Sequence, residues 1–247
     1  MIKMLLLIRL LIKSIVLSAL YRKNDLIIST NPKWLLLIPY ISRRKFDLYL
    51  GDPFLGDITR EDSLFYSYLW KKSQKLIKKL IVFSPFLYER LKQEMGHDRV
   101  QFLMREPIQN LPQMIGEGLL YLGDFHSIDR NIEPLISALK EKGVRLDLYG
   151  NGDEEIVSKN VTNLKVFKRK PLHDLYNIFP NYKILVIILN KSGLQVPGKL
   201  YDFLKAPFNV LILYEDYLDI KFLPQPNHYF YCKNIASEIT ILLDELL

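Results

Sequence analysis

The apolar run KILVIIL at residues 183–189 constrains this chain most, because it gives way at once to NKSGLQVPGKLYDFLKAP. A run this short, rich in Ile and Val and without polar alternation, suits a central strand of a parallel sheet, buried on both faces. Residues 190–195 read as a loop, and Pro197 with Gly198 opens a helix that carries Lys199, Asp202 and Phe203 on adjoining turns. In an open parallel sheet, polar groups at such a helix start face the crevice at the carboxyl ends of the strands. A helix N-terminus with a lysine beside it attracts phosphate, and a carboxylate one turn on can accept hydrogen bonds from a ribose. The same residues equally fit a proline-initiated amphipathic helix with a surface lysine.

The pattern recurs along the chain. Strand-like runs stand at residues 25–30, 46–51, 80–84 and 100–103, then at 119–123, 144–150, 163–167, 183–189 and 209–214. Helical patterns fit residues 130–142, 171–179 and 197–205, and an amphipathic stretch at 235–246 closes the chain. Such alternation predicts βα units and parallel sheets. The turn-rich stretch EPIQNLPQMIGEG separates two series of units, which predicts one domain over residues 1–112 and a second over 113–247. At 247 residues the chain is long enough for both to bury a core.

Charge distinguishes the halves. The net charge is +7, with +9 carried by residues 1–112 and −2 by residues 113–247. A basic half points to nucleic acid or anionic lipid, and the aromatic-interleaved basic patterns of RNA-binding modules are missing from the sequence. Lipid is favoured by the opening MIKMLLLIRLLIKSIVLSALYRK, in which Lys3, Arg9 and Lys13 divide the apolar residues into runs too short to span a bilayer. This segment is expected to lie on a membrane surface or against a domain; a signal peptide fits less well because charges interrupt its apolar region. In YLWKKSQKLIKKL, Lys71, Lys75, Lys78 and Lys79 fall at helical spacing. They form either a solvated helix face or, with Arg43, Arg44 and Lys45, part of a lipid-facing surface. The lone cysteine, Cys232, excludes an internal disulfide and suits a reducing compartment.

Three strand ends in the second half are expected at one edge of a sheet. In LYLGDFHSIDRN, Gly123 ends a strand and Arg130 starts a helix, where its paired N–H donors could clamp a diphosphate. His126, in the loop between them, could approach a sugar or phosphate, or sit in water. In LYGNGDEE, Gly150 and Gly152 bracket Asn151, and two glycines let a ligand approach the backbone or make a tight turn. The third strand end is the Lys199/Asp202 helix. No Cys/His cluster at zinc spacing and no Asp-x-Asp motif occurs, so neither a metal nor a cofactor is implied.

The order of these motifs resembles the nucleotide-sugar domain of the GT-B glycosyltransferases, especially the retaining family 4 enzymes of capsule and lipopolysaccharide synthesis. That family places a basic residue several positions after a strand-ending glycine, matched by Gly123 and Arg130. It has a Gly-x-Gly turn, matched by Gly150 and Gly152, and a Pro-x-Lys-x-x-Glu/Asp-aromatic helix, matched by Pro197, Lys199, Asp202 and Phe203. The resemblance implies that Arg130 and Lys199 meet the donor diphosphate, that Asp202 bonds the ribose, and that the helix start from Leu172 to Tyr176 borders the nucleobase. More faintly, NDLIISTNPKW and FDLYLGDPF are similar to strand ends of the family's acceptor domain. The chain departs from the family in Asp124, where many members have arginine, in Leu194, where many have glutamate, and in opening at what looks like a later helix than the family's Gly-rich start. None of His97, His126, His173 and His228 matches the histidine that members often place near the sugar.

What the resemblance implies is an α/β, GT-B-like chain of two Rossmann-like domains, the first shortened. It would be a metal-independent hexosyltransferase, retaining in the family's manner, acting on a nucleotide-diphosphate sugar and a lipid-linked or polysaccharide acceptor at the inner face of the cell membrane. Two other readings stay open: a non-catalytic subunit that binds nucleotide sugar or regulates a partner glycosyltransferase, and a peripheral membrane scaffold.

Overall fold

Runs of Leu, Ile and Val set the strands of two parallel sheets, one in each of the units into which the chain divides, Met1–Met104 and Arg105–Leu247. The structure, a computed structural model, describes residues 15, 26–29, 37–50, 68, 70–126, 130–153, 156, 163–191, 196–215 and 218–247. The expected interfacial segment at residues 1–23 lies, Ile15 apart, outside the described residues, as does the Asp-Pro-aromatic turn at 52–54. Among the described residues no helix is long and apolar enough to cross a membrane.

In the first unit, β1 (Leu26–Ser29), β2 (Phe46–Leu50), β3 (Ile77–Val82) and β4 (Val100–Phe102) pair in that order, all parallel. Helix α1 (Leu37–Ser42) precedes β2, and α2 (Pro85–Met95) joins β3 to β4. Phe46, Leu48 and Leu50 alternate inward from β2 and pack with Trp70, Leu80, Val82, Leu87 and Leu91. Helix α2 starts where the Ser84 hydroxyl accepts the Leu87 N–H, with Pro85 in the first turn, where a missing donor costs nothing. The lysine run does not share a helix face. Helical backbone ends at Ser73, a 3-10 turn spans Gln74–Leu76, and Lys78 and Lys79 lie within β3. Burial of Ile77, Leu80, Ile81 and Val82 in the sheet overrides the helical spacing, and the Arg99 guanidinium fixes the change by donating to the carbonyls of Gln74 and Ile77.

The second unit holds β5 (Leu119–Leu122), β6 (Leu146–Tyr149), β7 (Leu164–Phe167), β8 (Ile184–Ile188), β9 (Asn209–Tyr214) and β10 (Tyr229–Lys233) in one parallel sheet, ordered β10-β9-β8-β5-β6-β7. Every residue of β5, β6 and β8 is buried, as expected of central strands covered on both faces. Leu135 and Leu139 of α3 (Glu133–Lys142) and Ile239 and Leu243 of α5 (Ala236–Leu246) join Leu119, Leu148, Val186 and Leu211 in one core. Asp147, fully buried in β6, accepts from Arg145 Nε at 2.9 Å and from the Tyr182 hydroxyl at 2.6 Å, so its charge is paired.

Three features depart from the sequence pattern. Strand β10 was not anticipated, because YFYCK lacks clean alternation and follows a proline-rich stretch; its pairing with β9 makes it a strand. The helix expected at 197–205 is only α4 (Lys199–Asp202), and the one expected at 171–179 is a 3-10 helix (Leu172–Asn181) that ends at Pro180 and Asn181. Residues 105–112 belong with the second unit. Arg105 Nε lies 2.8 Å from Asp202 Oδ1, and the Ile108 N–H donates to the Asp202 carbonyl at 2.9 Å.

Candidate functional site

The second sheet reverses its order between β5 and β8: the chain builds outward through β6 and β7, then returns to lay β8 on the other flank of β5. Loops leaving two such neighbours diverge, and a crevice opens beyond their carboxyl ends. Gly123 follows β5 there, and α4 follows β8.

Backbone pairing continues past the strands and holds the loops together. Gly123 N–H donates to Tyr149 O, Phe125 N–H to Asn151 O, and Gly150 N–H to Phe167 O. A Cβ on Gly150 would stand 1.8 Å from the Gly123 carbonyl oxygen, and one on Gly152 would stand 2.0 Å from the Phe125 ring. Both glycines therefore admit a close approach by the protein's own β5 loop. Asp124 ties the same loops from the side, accepting the Asn151 N–H at 3.1 Å and facing Arg169 Nη1 at 3.5 Å. Tyr149 and Phe167 stack beneath, with ring centroids 4.6 Å apart.

Helix α4 is short, and a carbonyl within it and one just after it are taken by residues 228 and 229. The Tyr229 hydroxyl donates to Leu200 O at 2.6 Å, and His228 Nε2 lies 3.1 Å from Phe203 O, which requires the proton on that nitrogen. Phe203, Phe179 and Phe208 pack edge-on or tilted below it, all buried. These contacts hold Lys199 at the hollow's wall, its Nζ 3.7 Å from where a Gly123 Cβ would be.

The hollow measures about 220 Å³ and is lined by Gly123, Tyr149, Arg169, Lys170, Leu172 and Lys199, together with Leu122 and Leu175. Burial lowers the Lys199 pKa below that of an ordinary lysine, and the positive charges of Arg130 and Arg169 lower it further, against a weaker pull from Asp202 and Asp124. The site is net cationic and fits an anion.

Of the residues singled out in the sequence, Lys199, Gly123 and Leu172 line the hollow. Arg130 stands close enough to repel the Lys199 charge, and its Nε donates to Asn190 Oδ1 at 2.6 Å at the end of β8. Backbone N–H groups of Arg130 and His126 donate to each other's carbonyls at 3.2 Å, which sets the arginine at the base of its loop. His126 Nδ1 lies 3.5 Å from Asp153 Oδ1 and is half exposed. Asp202 is buried one turn beyond Lys199 and pairs with Arg105; burial raises its pKa, opposed by Arg105 and Lys199. Sequence reading passed over Arg169 and Lys170. The signal was KRK directly after a strand end, where a basic run stands at the mouth of the crevice.

No protein-family model matches the sequence, and neither does any curated protein. Solved structures do match. Anabaena HepE, in a crystal structure with UDP-glucose, superposes with a TM-score of 0.70 at 11% identity, over 94% of this chain and 71% of that one. A glycosyltransferase from Rickettsia africae gives 0.60 at 15% identity, over 96% and 70%. The lipopolysaccharide outer core galactosyltransferase WaaB, in its apo form, gives 0.58 at 10% identity, over 94% and 68%. The likeness runs through both units, and the fold of this chain is that of the GT-B glycosyltransferases.

Proposed function

We propose that the protein is a glycosyltransferase that moves a sugar from a nucleotide-diphosphate donor to a lipid-linked or polysaccharide acceptor in cell-surface polysaccharide synthesis, at the inner face of the cell membrane. The observation that carries the reading is the cationic hollow at the β5/β8 reversal, with Lys199 on its wall and Arg130 beside it. Fixed cations there would stabilise the charge that grows on a departing diphosphate, without reorganising during the reaction. Leu172 and Tyr149 offer an apolar wall for a base. HepE, which shares the fold, was crystallised with UDP-glucose, which supports the donor class, and WaaB is named as a lipopolysaccharide outer core galactosyltransferase, which supports the pathway. Retention of anomeric configuration and independence of metal belong to the same proposal, through the resemblance to the retaining family 4 enzymes.

A thermal-shift panel of nucleoside diphosphates and their sugars tests the donor class, since a ligand that binds only the folded state raises its melting point. Lys199→Ala should lower transfer far more than stability. A transfer rate that survives this substitution removes the mechanism.

One observation favours the second reading, a non-catalytic subunit that binds nucleotide sugar: Asp202 is already engaged by Arg105. Turnover of donor by the purified chain distinguishes the two.

A further inference from the structure

The run Lys168-Arg169-Lys170 follows β7 directly, so it emerges at the same carboxyl edge as Gly123 and Gly150. Arg169 and Lys170 line the hollow together with Lys199. The Arg169 side chain is 61% exposed, and its approach to Asp124, Nη1 to Oδ2 at 3.5 Å, is at the outer limit of a hydrogen bond. Asp124 itself is anchored, because its other oxygen takes the Asn151 N–H. Of this pair the carboxylate is fixed and the long side chain is the one that can turn.

A guanidinium carries five N–H donors in a planar fork, suited to phosphate oxygens. Here it adds to the positive potential around Lys199, as Arg130 does. The neighbouring Asp202 is paired with Arg105, which leaves Asp124 as the carboxylate facing Arg169. Crowding like charges around one hollow disfavours each of them, and a bound polyanion relieves all at once.

We propose that Arg169 is a third cationic contact for the diphosphate of a nucleoside diphosphate, giving up Asp124 for a phosphate oxygen when the ligand fills the hollow. The proposal rests on the reading that the hollow holds a nucleotide-diphosphate donor. Asp124 is then the resting partner of Arg169 and competes with the ligand for it.

Calorimetric titration of the full chain with UDP, GDP, ADP, their nucleosides and inorganic pyrophosphate tests this. Arg169→Ala should weaken the diphosphate that the wild type binds about tenfold, the loss expected for one charge-assisted contact at an exposed site, and leave the matching nucleoside unaffected. Arg169→Lys should recover part of that loss, and Asp124→Asn should bind pyrophosphate more tightly than the wild type. The proposal is overturned if Arg169→Ala binds the diphosphate as well as the wild type, or if diphosphate and nucleoside weaken in equal proportion, which would mark a purely structural role. A wild-type chain that binds none of the diphosphates nor pyrophosphate overturns the donor reading itself, and this one with it.

Discussion

Arg105 Nε lies 2.8 Å from Asp202 Oδ1, a contact between a guanidinium that is 61% exposed and a carboxylate that is 8% exposed. The carboxylate has lost its water and depends on this arginine for compensation, whereas the arginine remains solvated. Arg105 also closes over Gly198: a Cβ there would stand 2.5 Å from Arg105 Nη1. The pair therefore fastens residues 105–108 to α4.

Arg105→Ala should destabilise the fold by about 1–3 kcal/mol in urea unfolding, the cost of leaving a buried carboxylate without its ion-pair partner, reduced because the arginine side of the pair faces solvent. Burial already raises the Asp202 pKa, and loss of Arg105 removes an opposing charge. The folded state of the variant then holds the carboxyl proton more tightly than the unfolded chain does. Its stability is greatest below the ordinary carboxyl pKa, falls as pH climbs from there through the raised pKa, and levels off above it. Equal destabilisation at acid and alkaline pH would contradict this account.

If the hollow binds an anion as proposed, Lys199 should set the alkaline limit of that binding. Its pKa is lowered by burial and by Arg130 and Arg169, so it loses its proton at a lower pH than an ordinary lysine. A bound diphosphate favours the charged form, so affinity is full below the shifted pKa and declines as pH rises through it. Lys199→Arg, which stays charged, should abolish that decline. Titrations of pyrophosphate affinity against pH in both proteins supply the check.

Gly150→Ala should cost about 1–3 kcal/mol or more, the range for forcing atoms into a packed site. The atom in the way is the Gly123 carbonyl oxygen, 1.8 Å from the new Cβ, and backbone cannot swing aside as a side chain can. Separation of the two loops should also weaken ligand binding, because Gly123 lines the hollow. An alanine variant with wild-type stability and affinity would show that the loops are not packed as described.

Cys232 should be inert in the native state. Its thiol is buried in β10, donates to the Lys233 carbonyl, and has a pKa pushed up to about 11 by burial and, secondarily, by Glu238. At pH 8 only about one thiol in a thousand is ionised, and thiolate is the reactive species. Ellman's reagent should report one thiol in denaturant and almost none without it.

Sequence reading reached the fold through strands whose burial is written into composition. Residues 119–122, 184–189 and 210–214 are apolar without interruption, and the structure places a strand of the second sheet in each. Lys199 and Gly123 were legible because each sits just past such a run, where a parallel sheet exposes its polar groups. What escaped depended on pairing across the sheet. The lysines at 71–79 have helical spacing, yet Ile77–Val82 gains more as a strand between β2 and β4. Gly150 and Gly152 read as room for a ligand, and only the β5/β6 register reveals that the neighbour they admit is Gly123 or Phe125. Arg105 and Asp202 are remote in the chain, so no local pattern could join them. Arg169 has no local signature beyond its charge, and only the place of β7 in the sheet brings it near Lys199.

The Tyr229 hydroxyl holds the Leu200 carbonyl of α4 and the His228 imidazole the Phe203 carbonyl just beyond it, so the last-laid edge strand acts as a tether for the segment that carries Lys199. A nascent chain cannot complete the wall that carries Lys199 until β10 has left the ribosome, and a nick ahead of Tyr229 would loosen that wall while sparing the interior of the sheet.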